Sequence, residues 1–185
     1  MEKMKIRELM RPVEEFPSIS SQATFMEAVE ALEKAQDAYQ SGKASHTILM
    51  VFDGPDRILG KLSPMDVVQG LEPKYDKVDS LAYSRFHISR ATIDRMKEEL
   101  RLWQRPLGDL CRKAYEVKVG DFIRAPSPER MVDVDDSMDQ AFHLFVLGRP
   151  DSLFVTEKGK IVGLIRFSDV YTKIVEVIKK CDLTG

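Results

Sequence analysis

The chain has 185 residues, 43% hydrophobic and 31% charged, with Lys+Arg 28 against Asp+Glu 30 and a formal net charge of −2. That balance excludes an intrinsically disordered chain, a collagen-like repeat and a low-complexity scaffold, and it fits one compact domain or two small ones. A chain this close to neutral has no global field to attract polyanions, which disfavours a general nucleic-acid binder.

The longest apolar run, residues 48–52, falls far short of the roughly 20 residues a membrane helix needs. Met1-Glu2-Lys3-Met4-Lys5 leads into no apolar stretch and does not read as a signal peptide. Cys111 and Cys181 alone offer neither a disulfide framework nor a thiolate zinc site, so a reducing cytoplasm is the expected compartment.

In chain order, Ile6, Leu9 and Met10 read as a short amphipathic turn leading into an extended segment. Thr24-Phe25-Met26-Glu27 then has the form of a capped helix start. The Thr hydroxyl accepts from the Glu27 amide, and the Glu carboxylate reaches back to the Thr24 amide. Phe25, Ala28, Val29 and Leu32 follow at the spacing of one helical face. The polar stretch 35–45 predicts an extended helix end and a loop. Residues 47–52 predict a strand, Asp53-Gly54-Pro55-Asp56 a turn, 58–62 a second strand, and a helix starts near Ser63-Pro64.

From 72 to 118 the strand signals stop. Phe86, Ile93, Met96, Leu100, Trp103, Leu107 and Leu110 recur at gaps of three, four or seven, an amphipathic stripe. Pro106 should interrupt it, which predicts one helix over 89–104 and a shorter one over 106–115. The stripe is too apolar to stay in water, so a helical arm packed against one of the flanking units or a second subunit is expected. Arg85, Arg90, Arg95, Arg101, Arg105 and Arg112 make this stretch locally basic, but Asp94, Glu98 and Glu99 interrupt it, as on a solvated helical face.

The remainder repeats the first part. Ser137-Met138-Asp139-Gln140 matches the capped start at Thr24 with an offset of 113 (137 − 24). The same offset carries Phe25, Ala28, Val29 and Leu32 onto Met138, Ala141, Phe142 and Phe145, and Ile6, Leu9 and Met10 onto Val119, Phe122 and Ile123. Later in the unit, 153–155, the turn Glu157-Lys158-Gly159-Lys160 and 161–165 match at an offset of 103 (163 − 60), so the first copy is longer by 10 residues (113 − 103). Each copy reads strand, helix, strand, strand, helix. Neither is large enough to bury both faces of its sheet comfortably, so two are expected to share a core.

The clearest chemical signal lies where the third strand of each copy meets the second helix. In Gly60-Lys61-Leu62-Ser63-Pro64-Met65-Asp66, glycine permits close backbone approach, Ser63 sets a hydroxyl beside free helix-start amides, and Asp66 adds a carboxylate one turn on. Amides and a hydroxyl suit a phosphate, while a carboxylate can accept from both hydroxyls of a ribose. Ser-Pro-x-Asp is equally an ordinary helix start, with Ser as cap, Pro at the first position and Asp favourable to the dipole.

His46, His87 and His143 share no metal-ligand spacing, so structural roles are expected for them, and Cys111 is expected to pack within the central stretch. No nucleophile-elbow, phosphate-loop or dinucleotide fingerprint occurs, and Asp66 as a catalytic base has no second group at a plausible spacing.

The duplicated unit, each copy ending in Gly, apolar or small polar residues and then Asp, resembles a tandem pair of CBS (cystathionine-beta-synthase) domains, the Bateman module. The resemblance implies an α/β (α+β) fold of two units related by a pseudo-two-fold axis, over 5–71 and 119–180, with 72–118 as a helical insert. In that family the pattern is Gly, any residue, an apolar residue, Thr or Ser, two residues and Asp, with the hydroxyl near phosphate and the Asp on the ribose. Ser63 and Asp66 match it.

The second copy, Gly163-Leu164-Ile165-Arg166-Phe167-Ser168-Asp169, keeps Asp169 but has Arg166 in the hydroxyl position. A guanidinium there could pair with phosphate, favouring di- and triphosphates, or could itself occupy the pocket. The resemblance thus implies a non-catalytic sensor with no required cofactor. It would bind AMP, ADP, ATP or S-adenosylmethionine in a cleft between the CBS units through Ser63, Asp66, Arg166 and Asp169. It further implies a homodimer and an effector in another protein, with no nucleic acid, membrane or metal. The alternative is a structural or protein-interaction module with empty clefts that acts through the insert.

Overall fold

A computed structural model describes residues 4–72, 74, 89–102 and 110–180. Each copy has the predicted order. In the first, β2 (Ser18–Ser20), α1 (Phe25–Gln40), β3 (Leu49–Phe52), β4 (Ile58–Leu62) and α2 (Pro64–Leu71) follow one another, and in the second β5 (Met131–Asp133), α6 (Met138–Gly148), β6 (Ser152–Glu157), β7 (Lys160–Arg166) and α7 (Phe167–Lys179). Between them lie α3 (Arg90–Glu99), α4 (Leu110–Glu116) and α5 (Val119–Phe122), and a two-residue strand β1 (Arg11–Pro12) precedes the first copy.

The first sheet runs β2-β3-β4, with β2 parallel and β4 antiparallel to β3. The second runs β1-β7-β6-β5, with β5 parallel and β7 antiparallel to β6. Both central pairs carry an irregularity at the same place, after Val51 and after Val155.

The two compact units do not follow the chain order of the repeats. One is Phe16–Ala125; the other joins Met1–Glu15 to Pro126–Gly185. The leading turns have exchanged partners. A 3-10 turn at Ile6–Glu8 belongs to the second copy, where Ile6 is fully buried among Val132, Met138, Leu153 and Ile165. Helix α5 belongs to the first copy, where Val119 and Phe122 pack among Phe25, Leu32, Leu49 and Leu62 and the Phe25 and Phe122 ring centroids lie 5.5 Å apart.

The polar contacts of the exchange repeat at the same offset of 113. The Met138 amide donates to the Met4 carbonyl (2.9 Å), and the Phe25 amide to the Val117 carbonyl (2.8 Å). The Lys5 amide donates to the Glu8 carboxylate at 2.7 Å, and the Lys118 amide to that of Asp121 at 2.8 Å. Each helix start therefore receives its capping carbonyl from the leading turn of the other repeat.

Thr24 and Glu27 form the expected box, at 3.2 Å for the Glu27 amide to the hydroxyl and 2.6 Å for the Thr24 amide to the carboxylate. Ser137 stands at the matching position of α6 without a side-chain cap bond, and the Gln140 amide donates to the Ser137 carbonyl instead. The extra residues of the first copy lie in α1, 16 residues against 11 in α6, and in the loop behind it.

The central stretch departs from the periodicity. Helix α3 ends at Glu99, because Arg101 takes a left-handed conformation (φ 50°) and turns the chain before the proline is reached. Among the described residues, Leu102, outside the stripe, is buried, while Ile93 on the stripe is 41% exposed. Helix α4 packs against α1, and Lys113 Nζ donates to the Leu71 carbonyl at 2.7 Å, so this end of the stretch belongs to the Phe16–Ala125 unit. Phe86, Trp103 and Leu107, with Arg85, His87, Arg105, Pro106 and Cys181, lie outside the described residues. Cys111 is exposed, contrary to the packing expected of it.

Two glycines hold the exchange together. A Cβ on Gly60 would stand 2.9 Å from both the Arg124 carbonyl oxygen and Ile123 Cγ2; one on Gly163 would meet the Arg11 carbonyl oxygen and Met10 Cε more closely still. Arg11 and Arg124 are themselves 113 apart. The close approach read from the motif is thus made by the protein's own leading segments. Gly60→Ala and Gly163→Ala are each expected to lower stability by about 1–3 kcal/mol, the cost of forcing a well-packed site apart. Gly163→Ala should be the worse, and urea unfolding midpoints measure both.

Candidate functional site

Strand β4 ends at Leu62, fully buried, and the chain leaves the sheet through Ser63 into α2. Pro64 at the first helical position fixes the turn, and Ser63 takes the extended backbone of a helix cap. The Asp66 carboxylate then folds back. Its Oδ2 accepts from the Ser63 amide at 2.7 Å and from the Ser63 hydroxyl at 2.5 Å. Both side chains are half-buried. Among the described residues every hydrogen bond of Asp66 falls on Oδ2, which leaves Oδ1 as an open acceptor. The helix-start reading and the ligand reading therefore use different oxygens of one carboxylate.

In the second copy β7 ends at Arg166, which takes the cap position of α7 as Ser63 does for α2. The guanidinium reaches forward to the carboxylate that the motif assigns to ribose. Arg166 Nε donates to Asp169 Oδ2 at 2.7 Å and Nη2 to Oδ1 at 2.6 Å, a two-pronged pair. Arg11 adds its Nη2 at 3.5 Å from Asp169 Oδ1. Burial pushes the Asp169 carboxyl up, but the hydrogen bonds and charge of Arg166, with those of Arg11, outweigh it and hold the group below the ordinary carboxylate range.

The structure thus brings Ser63 and Asp66 together in one unit, and Arg166 and Asp169 in the other. Arg11 escaped the sequence reading. The signal was available: Met10-Arg11 and Ile123-Arg124 stand at the repeat offset, and pairing of β1 with β7 sets Arg11 opposite Leu164, two residues before Arg166.

A groove of about 600 Å³ lies between α1 and α2, lined by Val29, Leu32, Thr47, Pro64 and Val67 among others. It adjoins the helix start only through Pro64, with Ser63 and Asp66 outside its lining. His46 is buried and stacks on Phe16 at 4.1 Å between ring centroids, a packing role, and His143 is exposed. Among the described residues no group of three His, Cys, Asp or Glu could hold a metal, and no helix is long and apolar enough to cross a membrane.

Residues 119–176 match the CBS domain family. No curated protein sequence matches the chain. Among solved structures, CBSX2 in complex with AMP aligns with a TM-score of 0.56 at 15% identity, over 94% of this chain and 98% of the other. CBSX2 from Arabidopsis thaliana gives 0.56 at 17%, over 96% and 98%. The CBS domain of the bacterial CNNM/CorC family Mg2+ transporter in complex with ATP gives 0.53 at 17%, over 94% and 89%. At such identities the likeness establishes the fold, and it spans both repeats.

Proposed function

Since this chain has the fold of a tandem CBS domain pair and its second repeat is itself a CBS domain, we propose that it is a non-catalytic regulatory module that binds an adenine nucleotide at the start of α2. The observation that carries the reading is the half-buried Asp66 carboxylate, anchored through Oδ2 and open at Oδ1. A ribose hydroxyl can donate to Oδ1 without disturbing the helix start. A second ribose hydroxyl can replace the Ser63 hydroxyl on Oδ2, freeing that donor to turn toward a phosphate. Supporting the ligand class, structures of the same fold are complexes with AMP and with ATP.

Such a ligand acts by preferring one of two conformations, and its differential affinity sets the size of the response. The output passes to a separate effector protein, the chain works as a cytoplasmic homodimer, and no turnover of nucleotide is expected. The exposed apolar residues of α7, Phe167, Tyr171 and Ile178, support self-association.

A thermal-shift series with AMP, ADP, ATP and S-adenosylmethionine tests the reading. A nucleotide at 100 times its dissociation constant should add about 2.7 kcal/mol. No shift with any adenine nucleotide would leave the interaction-module reading, which Tyr115, 69% exposed on α4, favours.

A further inference from the structure

We infer that the chain's own arginines withdraw Asp169 from ligand binding, so that the protein takes one adenine nucleotide per chain, at the first repeat. The inference rests on the role proposed above for Ser63 and Asp66.

The two helix starts differ in what occupies the carboxylate. A carboxylate offers about four acceptor positions, two on each oxygen. At Asp66 both hydrogen bonds come from Ser63 and fall on one oxygen. At Asp169 the Arg166 fork takes a position on each oxygen, and Arg11 adds a second cation at Oδ1. Vicinal ribose hydroxyls need two neighbouring acceptor positions, and Asp169 retains too few to receive them as a pair.

Nor can the occupants step aside as Ser63 can. A serine hydroxyl is neutral and rotates about one bond. The Arg166 guanidinium is held by two hydrogen bonds, and its side chain is only 20% exposed, against 12% for Asp169. Displacing it with neutral hydroxyls would separate a largely desolvated ion pair. Arg11 ties the same carboxylate to the leading segment, which the Gly163 contact and the pairing of β1 with β7 hold in place. Asp169 therefore serves as the internal counter-ion that fastens the exchanged segment to the start of α7. A phosphate would have to compete with it for both guanidiniums.

Titration calorimetry of the full chain with AMP and with ATP tests this. The expected result is one site per chain for either nucleotide, weakened at least tenfold by Asp66→Ala and changed less than twofold by Asp169→Ala. Arg166→Ser, which supplies the hydroxyl of the first repeat and removes the fork from both oxygens of Asp169, should raise the stoichiometry toward two.

Two sites in the parent, a tenfold loss in Asp169→Ala, or a stoichiometry still at one in Arg166→Ser would each overturn the inference. So would a second site that takes ATP alone and disappears in Arg166→Ser. If the parent binds neither nucleotide, the proposed function fails, and urea midpoints then decide the clamp. Arg166→Ser and Asp169→Ala should each lower the midpoint, with the double variant no lower than the worse single one. Additive or absent effects would show that the pair fastens nothing.

Discussion

Ile6→Ala is expected to destabilise the second CBS repeat, more than 120 residues away in sequence (131 − 6 = 125 to the start of β5), by about 2–5 kcal/mol. Ile6 is fully buried in a core whose other buried residues run from Val132 to Val170. The Gly163 contact and the β1 pairing hold in place the segment that carries it. Hydrogen exchange reads the location. Protection should fall over β6 and β7 and persist over β3 and β4. Phe122→Ala should do the reverse, since its ring lies against Phe25 in the first repeat. Loss of protection in β3 and β4 from Ile6→Ala, with β6 and β7 unaffected, would mean that the leading turns stay with their own repeats.

The second large effect is on binding. Asp66→Ala removes the acceptor of both ribose hydroxyls, and hydrogen bonds to a charged group contribute about 1.5–3 kcal/mol, so affinity for AMP should fall roughly ten- to a hundredfold. The fold should survive, because a carboxylate in a first helical turn contributes about 0.3–1 kcal/mol. Ser63→Ala should weaken AMP less, since it removes the phosphate contact and leaves the ribose contact. Calorimetry of the two variants at one temperature gives the comparison. An Asp66→Ala protein that binds as its parent does would put the ribose elsewhere.

How much of this was legible in the chain depends on the range of each interaction. Thr24 and Glu27, or Ser63, Pro64 and Asp66, lie within one helical turn of each other, and their spacing alone specifies the helix starts they build. The duplication was legible because each copy needs the same apolar face and the same glycine. The partner of each leading turn was not. Ile6 and Val119 are equally apolar and match one another, so composition favours neither repeat; only the structure shows that Met4 caps α6 and Val117 caps α1.

The Arg166 pair was half legible. The substitution for a hydroxyl was visible, but whether the guanidinium faced a ligand or Asp169 turned on a side-chain rotamer and on Arg11, brought from 155 positions away (166 − 11). The central helix starts where expected but ends at Glu99 for a local reason, the left-handed turn at Arg101, which no apolar periodicity encodes.

The most direct measurement is a crystal structure of the full chain grown with AMP. The ribose hydroxyls are expected within hydrogen-bond distance of the Asp66 carboxylate, the Ser63 hydroxyl turned toward the phosphate, and Arg166 still paired with Asp169. A ribose on Asp169, or AMP bound away from both helix starts, would contradict this placement.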